Sequence, residues 1–211
     1  MPANQVSLFN ILQEGDIQIR GFKLRIPLDI QFVFTANPED YTNRGSIVTP
    51  LKDRIQSQIL THYPKDLITG IMITAQEAKL SENQIQNVTI PGLMHELIEL
   101  IAMQARASEY VDQKSGVSAR LTISAFENLA SAAERRALKN GEESAFTRIS
   151  DLYGVVPSIT GKIELVYEGE QEGPAIVAQN LLGKAIRAGF LAGQIGIDTG
   201  EMRAGNVALA V

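Results

Sequence analysis

The apolar residues of this chain change their spacing between residues 63 and 66. Before that point they fall in short alternating or continuous runs, the pattern of strands; after it they recur at three- and four-residue steps, the pattern of amphipathic helices. In the first part, Val6, Phe9, Ile11 and Leu12 share one face of a short helix that Gly15 ends. DIQIRGFKLRIP then alternates on both sides of Gly21, as a half-buried hairpin with a tight turn does. LDIQFVFTANPEDY rises through Ile30, Phe32, Val33 and Phe34 and stops at Asn37 and Pro38, which predicts a buried parallel strand over 30–36 ending in a loop. Pro50 opens a short helix over LKDRIQSQ. ILTHYP is expected to be extended because Tyr63 precedes a proline.

From Lys65 to Lys139 three helices are predicted: DLITGIMITAQEAKL, GLMHELIELIAMQARASEYVDQ behind Pro91, and VSARLTISAFENLASAAERRALKNG. The third has Ser118 in its N-cap region, Arg135, Arg136 and Lys139 in its last turns and Gly141 just beyond. Met72, Met94 and Met103 sit among apolar neighbours and read as core filling. The last third is less regular, with a short helix in AFTRISDLYG, strand or helix in TGKIELVYEG, and a helix opened by Pro174. Past Gly193 the chain turns Gly-rich, and fraying is expected. The expected organisation is an α/β piece over 1–64, a helical domain over 65–141 and a mixed extension over 142–211.

Composition narrows the function classes. The 211 residues suffice for one or two domains, and 45% hydrophobic with 20% charged residues is ordinary for a globular chain. A net charge of −5 and a pI near 5.2 disfavour nucleic acid as a partner, since phosphate backbones are gripped by clustered Lys and Arg. With no cysteine there is no disulfide, thiolate metal site or thiol nucleophile. No run approaches the roughly 18–20 apolar residues that span a bilayer, and the N-terminus lacks a signal-peptide pattern, so a cytoplasmic protein with no membrane association is expected. The step from Met1 into VSLFNILQEG reads like the middle of a domain, so the chain is expected to be a fragment or the product of a broken reading frame.

Three strings carry chemistry when taken together. FVFTANPEDYTNRG followed by PLKDR is a hydrophobic strand ending in Thr-x-Asn-Pro with an arginine close behind. EGDIQIRGFKLRIP precedes it, and GVSARLTISAFENL follows downstream. In this order they resemble the sensor-1 strand, arginine-finger helix, preceding hairpin and sensor-2 lid helix of AAA+ ATPases of the MoxR and magnesium-chelatase subunit I type, over residues 6–140.

The resemblance implies an α/β fragment, a β-hairpin plus the last core strand of a P-loop AAA+ sheet, followed by a mostly α-helical lid. It also implies a hexameric homo-oligomeric ring with ATP and Mg²⁺ between subunits, acting on a client protein. Phosphoryl transfer needs a polar group to place the attacking water and a cation to neutralise the γ-phosphate. By resemblance Asn37 is the sensor-1 amide, Arg54 the arginine finger, worth ~10³-fold or more in rate, and Arg120 the sensor-2 cation. Arg44 is a second candidate for the finger and for a nucleotide contact, and Ile55 stands where the family often has Phe. Alone, an Asn-Pro turn only ends a strand, and a lone Arg usually pairs with an acid such as Asp53.

No GxxxxGK[ST] loop occurs, because Gly161–Lys162 and Gly183–Lys184 lack the upstream glycine and the following hydroxyl. No apolar strand ends in an Asp-Glu pair. Without a cradle for phosphates and metal, this chain alone is expected neither to bind ATP tightly nor to hydrolyse it. His95, Glu96 and Glu99 form part of a metalloprotease-like pattern but lack the second histidine, so a core-edge or solvated histidine is the expectation, and no metal. Glu142, Glu143, Glu168, Glu170 and Glu172 read as surface carboxylates. A non-catalytic helical protein-interaction module is the alternative reading, and no nucleophile-base constellation supports an unrelated hydrolase.

Overall fold

A computed structural model describes Asp16–Ile19, Phe22–Arg25, Gln31, Val33, Thr35 and residues 56–194, and the chain divides between His62 and Tyr63 into two compact units. In the first unit, strands β1 (Asp16–Ile19) and β2 (Phe22–Arg25) pair antiparallel. The register sets Asp16 opposite Arg25 and Ile19 opposite Phe22. The predicted strand over 30–36 is described at three positions only. Gln31, Val33 and Thr35 belong to no strand and are exposed, Val33 at 82%. A strand persists only when its backbone groups are paired, and these three have no ladder partner among the described residues. The helix expected over 6–14 lies outside the described residues. Of the helix expected over 51–58, Gln56 to Gln58 are described and irregular, as is the extended stretch to Pro64, with Ile59 and Leu60 exposed.

The second unit is helical. Helix α1 (Leu67–Glu77) begins at Asp66, whose carboxylate accepts from the Thr69 N–H at 2.7 Å and the Thr69 hydroxyl at 2.9 Å. A capping box starts α2 (Glu82–Asn87): Ser81 Oγ accepts from the Gln84 N–H, and Gln84 Oε1 accepts from the Ser81 N–H. A two-residue strand, β3 (Val88–Thr89), pairs in parallel with β4 (Ala145–Phe146). Between them run the two main helices, α3 (Gly92–Arg106) and α4 (Arg120–Asn140). Gly141 ends α4 in the left-handed region at φ 69°, where a Cβ would be strained. Ala119, not Ser118, is the N-cap of α4, although Ser118 Oγ accepts from the Arg120 N–H at 3.3 Å.

Beyond β4 a 3₁₀ helix (Ile149–Val155) runs into α5 (Val156–Thr160), and α6 (Tyr167–Glu172) precedes α7 (Pro174–Gln194). One core joins the 3₁₀ helix, α5 and α7 to α3 and α4. Leu97, Ile98 and Ile101 of α3 and Leu121, Ala125 and Leu129 of α4 meet Leu152, Val155, Ile159, Val177 and Leu181. The stretch that the sequence suggests is a C-terminal extension thus supplies much of the apolar interior. Gly189 lets α7 lie against α3, since a Cβ there would sit 2.9 Å from Leu97 Cδ2. Of the methionines expected in the core, Met94 is buried, but Met72 and Met103 are exposed, at 67% and 43%. The reason for Met72 is the unusual inner face of α1, described below. The glycine-rich end expected to fray falls on residues outside the described ones. No described helix is long and apolar enough to cross a membrane.

Candidate functional site

Of the four residues singled out for nucleotide chemistry, Asn37, Arg44 and Arg54 lie outside the described residues. Arg120 is the first residue of α4 and is exposed, and its guanidinium has no hydrogen-bond or ion-pair partner among the described residues. Of the four, Arg120 alone is placed by the structure, which shows what fixes the end of α4 on which it stands.

Two side chains brace that helix start. The Tyr63 hydroxyl donates to the Val117 carbonyl at 2.7 Å and accepts from the Val117 N–H at 2.9 Å, closing on the backbone just before α4. Gly116 makes room, with φ 70° and a would-be Cβ 2.9 Å from the Tyr63 oxygen. The Arg106 guanidinium, at the end of α3, lies 4.2 Å from the centre of the Tyr63 ring. Burial pushes Arg106 below the ordinary arginine value, and its buried Nε has no hydrogen-bond partner.

The second brace is Glu99, buried in the middle of α3 at 3% exposure. Thr74 Oγ1 of α1 lies 2.5 Å from its Oε1 and 2.7 Å from Thr122 Oγ1 in the first turn of α4. A Cβ on Gly70 would stand 2.5 Å from Glu99 Oε2, so glycine lets α1 approach the carboxyl this closely without displacing it. Burial raises the Glu99 carboxyl above the ordinary glutamate value. Hydrogen bonds from Thr74 and Thr122, and the charge of Arg106, offset only part of that rise. His95, one turn earlier, packs on Phe126 with ring centroids 4.7 Å apart, and burial lowers its pKa. No group of carboxylates and imidazoles that could hold a metal occurs among the described residues.

A different carboxylate, Asp151 of the 3₁₀ helix, is held as an ion pair. Arg136 Nε and Nη2 each donate to it at 3.0 Å, and the Arg148 N–H donates at 2.8 Å. Arg136 Nη2 also donates to the Phe146 carbonyl at 2.8 Å, and its Nη1 reaches Glu142 at 3.7 Å. Glu143, Glu168, Glu170 and Glu172 are exposed. An open groove of about 420 Å³ lies beside Lys184 and Arg187 of α7, and a smaller one of about 250 Å³ beside Arg135 and Lys139 of α4. Neither is lined by Arg120.

The Glu99 cluster does not stand out in the sequence as a unit; Glu99 is visible there only as part of an incomplete metal pattern. The available signal is the stripe His95, Glu99, Ala102 and Arg106, spaced to run down one side of a helix otherwise dominated by apolar residues. No protein-family profile, curated protein or solved structure matches the chain.

Proposed function

We propose that this chain is the sensor and lid portion of an AAA+ ATPase of the MoxR and magnesium-chelatase subunit I type, working in a hexameric ring that remodels or metallates a client protein. The supporting observation is Arg120, exposed and unpaired among the described residues at the start of a 21-residue helix whose first turn is braced from two sides. A guanidinium in that position is free to take phosphate oxygens, and a helix braced at its start would carry their pull into the helical unit. Asn37 would place the attacking water, and Arg54 or Arg44 would serve a neighbouring subunit's nucleotide.

ATP, when bound, would supply the transferable phosphoryl group, and Mg²⁺ would offset its charge. The guanidinium of Arg120 fits a phosphate. The described residues offer no cluster of acidic or imidazole ligands for the metal, so on this reading they do not supply the metal site. Purified alone, the 211-residue chain should therefore bind ATP weakly and hydrolyse none. Mixed with a full-length homologous subunit it should alter hydrolysis, and Arg54→Ala and Arg120→Ala should each abolish that effect while leaving the fold intact by circular dichroism. Tight ATP binding by the chain alone, or an effect on hydrolysis that survives both substitutions, rules the reading out.

One observation favours the second reading, a non-catalytic protein-interaction module. Helix α1 exposes Ile68, Met72 and Ile73 along its outer side, more apolar surface than a solvated helix needs. On that reading the chain has no effect on any ATPase, and both arginine variants behave as wild type.

A further inference from the structure

The last turns of α4 gather positive charge that the acids around them do not neutralise. An open groove of about 250 Å³ there is lined by Ala132, Arg135, Arg136, Lys139 and Asn140. Its three charged lining residues are all cations, on a chain whose net charge is −5. The C-terminal end of a helix dipole favours a nearby cation, which explains basic residues in these turns. It does not explain why Arg135 and Lys139 stand four residues apart on one face, where like charges repel. Both are exposed, and neither side chain has a hydrogen-bond or ion-pair partner among the described residues.

The acids close by in the sequence or the fold are engaged elsewhere. Glu134 accepts from Asn83 Nδ2 and Gln84 Nε2, both at 2.8 Å. Asp151 takes two bonds from Arg136 and one from the Arg148 N–H. Glu142 accepts from Asn140 Nδ2 at 3.1 Å through one oxygen. Its other oxygen lies 3.7 Å from Arg136 Nη1, beyond hydrogen-bond reach. That nitrogen is buried and donates to nothing. Buried donors are nearly always filled, so Arg136 Nη1 is a donor without its acceptor, on a residue that lines the groove.

Two unpaired cations and one unfilled guanidinium N–H thus belong to the same groove, and their number selects among anions. A carboxylate is filled by a single guanidinium fork, and the fork of Arg136 already holds Asp151. A phosphate has oxygens in several directions and carries close to two charges at neutral pH, so it can take all three donors together.

We propose that this groove binds a phosphate dianion, free or as a monoester. Arg135 and Lys139 are its direct ligands, and Arg136 Nη1 becomes a third donor when the anion displaces the Glu142 carboxylate. The site lies at the opposite end of α4 from Arg120 and is independent of the nucleotide contacts proposed there.

Titration of inorganic phosphate and of glycerol 3-phosphate into the whole chain, at constant ionic strength and followed by amide and guanidinium NMR shifts, tests the site. Shifts should gather at residues 132–142, and acetate should bind more weakly than phosphate. Arg135→Gln and Lys139→Gln should each weaken phosphate binding roughly tenfold, the equivalent of one charge-assisted hydrogen bond. Their circular dichroism should be unchanged, since both side chains are exposed. Glu142→Gln, which removes the competing carboxylate, should tighten binding. Lys184→Gln on α7 changes the net charge by the same amount as Lys139→Gln and should leave binding as it is. Tighter binding of the monoester assigns the site to a phosphate carried on a larger molecule, and tighter binding of inorganic phosphate assigns it to the free ion. No shifts at the end of α4 with millimolar phosphate, acetate bound as tightly as phosphate, or an equal loss in Lys184→Gln would each overturn the proposal.

Discussion

Glu99 and Asp151 are both carboxyl groups withdrawn from water inside one helical unit, at 3% and 7% exposure, yet they answer burial in opposite ways. Burial pushes both upward. For Asp151 the Arg136 hydrogen bonds, the Arg148 N–H and the charges of both arginines outweigh it and hold the group below the ordinary aspartate value. For Glu99 two hydroxyls and a distant guanidinium do not outweigh it. The difference shows that the partner, not the depth, sets the charge of a buried acid. The two also hold different parts of the unit together. The ionised group ties the connection through Phe146 and Arg148 to α4, and the group without a paired cation joins α1, α3 and α4 face to face.

The largest way to break this comparison is to remove the charged partner. Asp151→Ala strands the Arg136 guanidinium, 19% exposed, after it has lost two of its bonds, and should destabilise the protein by about 3 kcal/mol in urea unfolding. A loss below about 1 kcal/mol would place this pair among ordinary surface ion pairs. At the other carboxyl, Gly70→Ala puts a methyl 2.5 Å from Glu99 Oε2 and should cost about 2 kcal/mol, although alanine is the better helix former. Adding Glu99→Ala to Gly70→Ala removes the clash, so the double variant should be less destabilised than the two single losses added together. Simple additivity would mean that α1 does not rest on the carboxyl.

The helices of the second unit are legible in the sequence and their attachments are not. Asp66, Pro91, Pro174 and Gly141 mark helix ends by local chemistry, which needs no knowledge of the rest of the chain. Met72 misleads because an apolar residue at helical spacing is normally core, and only the approach of Glu99 explains why Gly70 and Thr74 take the inner face instead. The boundary expected at residue 141 reflects a loss of periodicity. Short pieces such as the 3₁₀ helix and α5 fill a core with Leu152, Val155 and Ile159 without enough turns to show a period. At the candidate site, Arg120 is visible as part of a motif, whereas the cluster behind it joins residues 25 and 48 positions apart, a relation that no local pattern carries.

The smallest effect, and the sharpest form of the comparison, is the dependence of stability on pH. Glu99 is raised above its ordinary 4.5, so the folded state keeps a proton that the unfolded chain gives up. Its contribution is fully present below that value and is lost as pH rises through the raised one. Asp151 is lowered below its ordinary 3.8, so its contribution is present above that value and is lost as pH falls through the lowered one. Each limb is worth about 1.4 kcal/mol for every unit by which folded and unfolded values differ. Urea midpoints measured across pH should therefore fall on both sides. Glu99→Gln should level only the upper limb and Asp151→Asn should weaken only the acid one. Some acid slope should remain in Asp151→Asn, because the Asp66 cap, lowered by its Thr69 bonds, also loses its charge there. If Glu99→Gln leaves the upper limb unchanged, the descent belongs to another group, and the contrast between the two buried acids is one of geometry without a difference in charge.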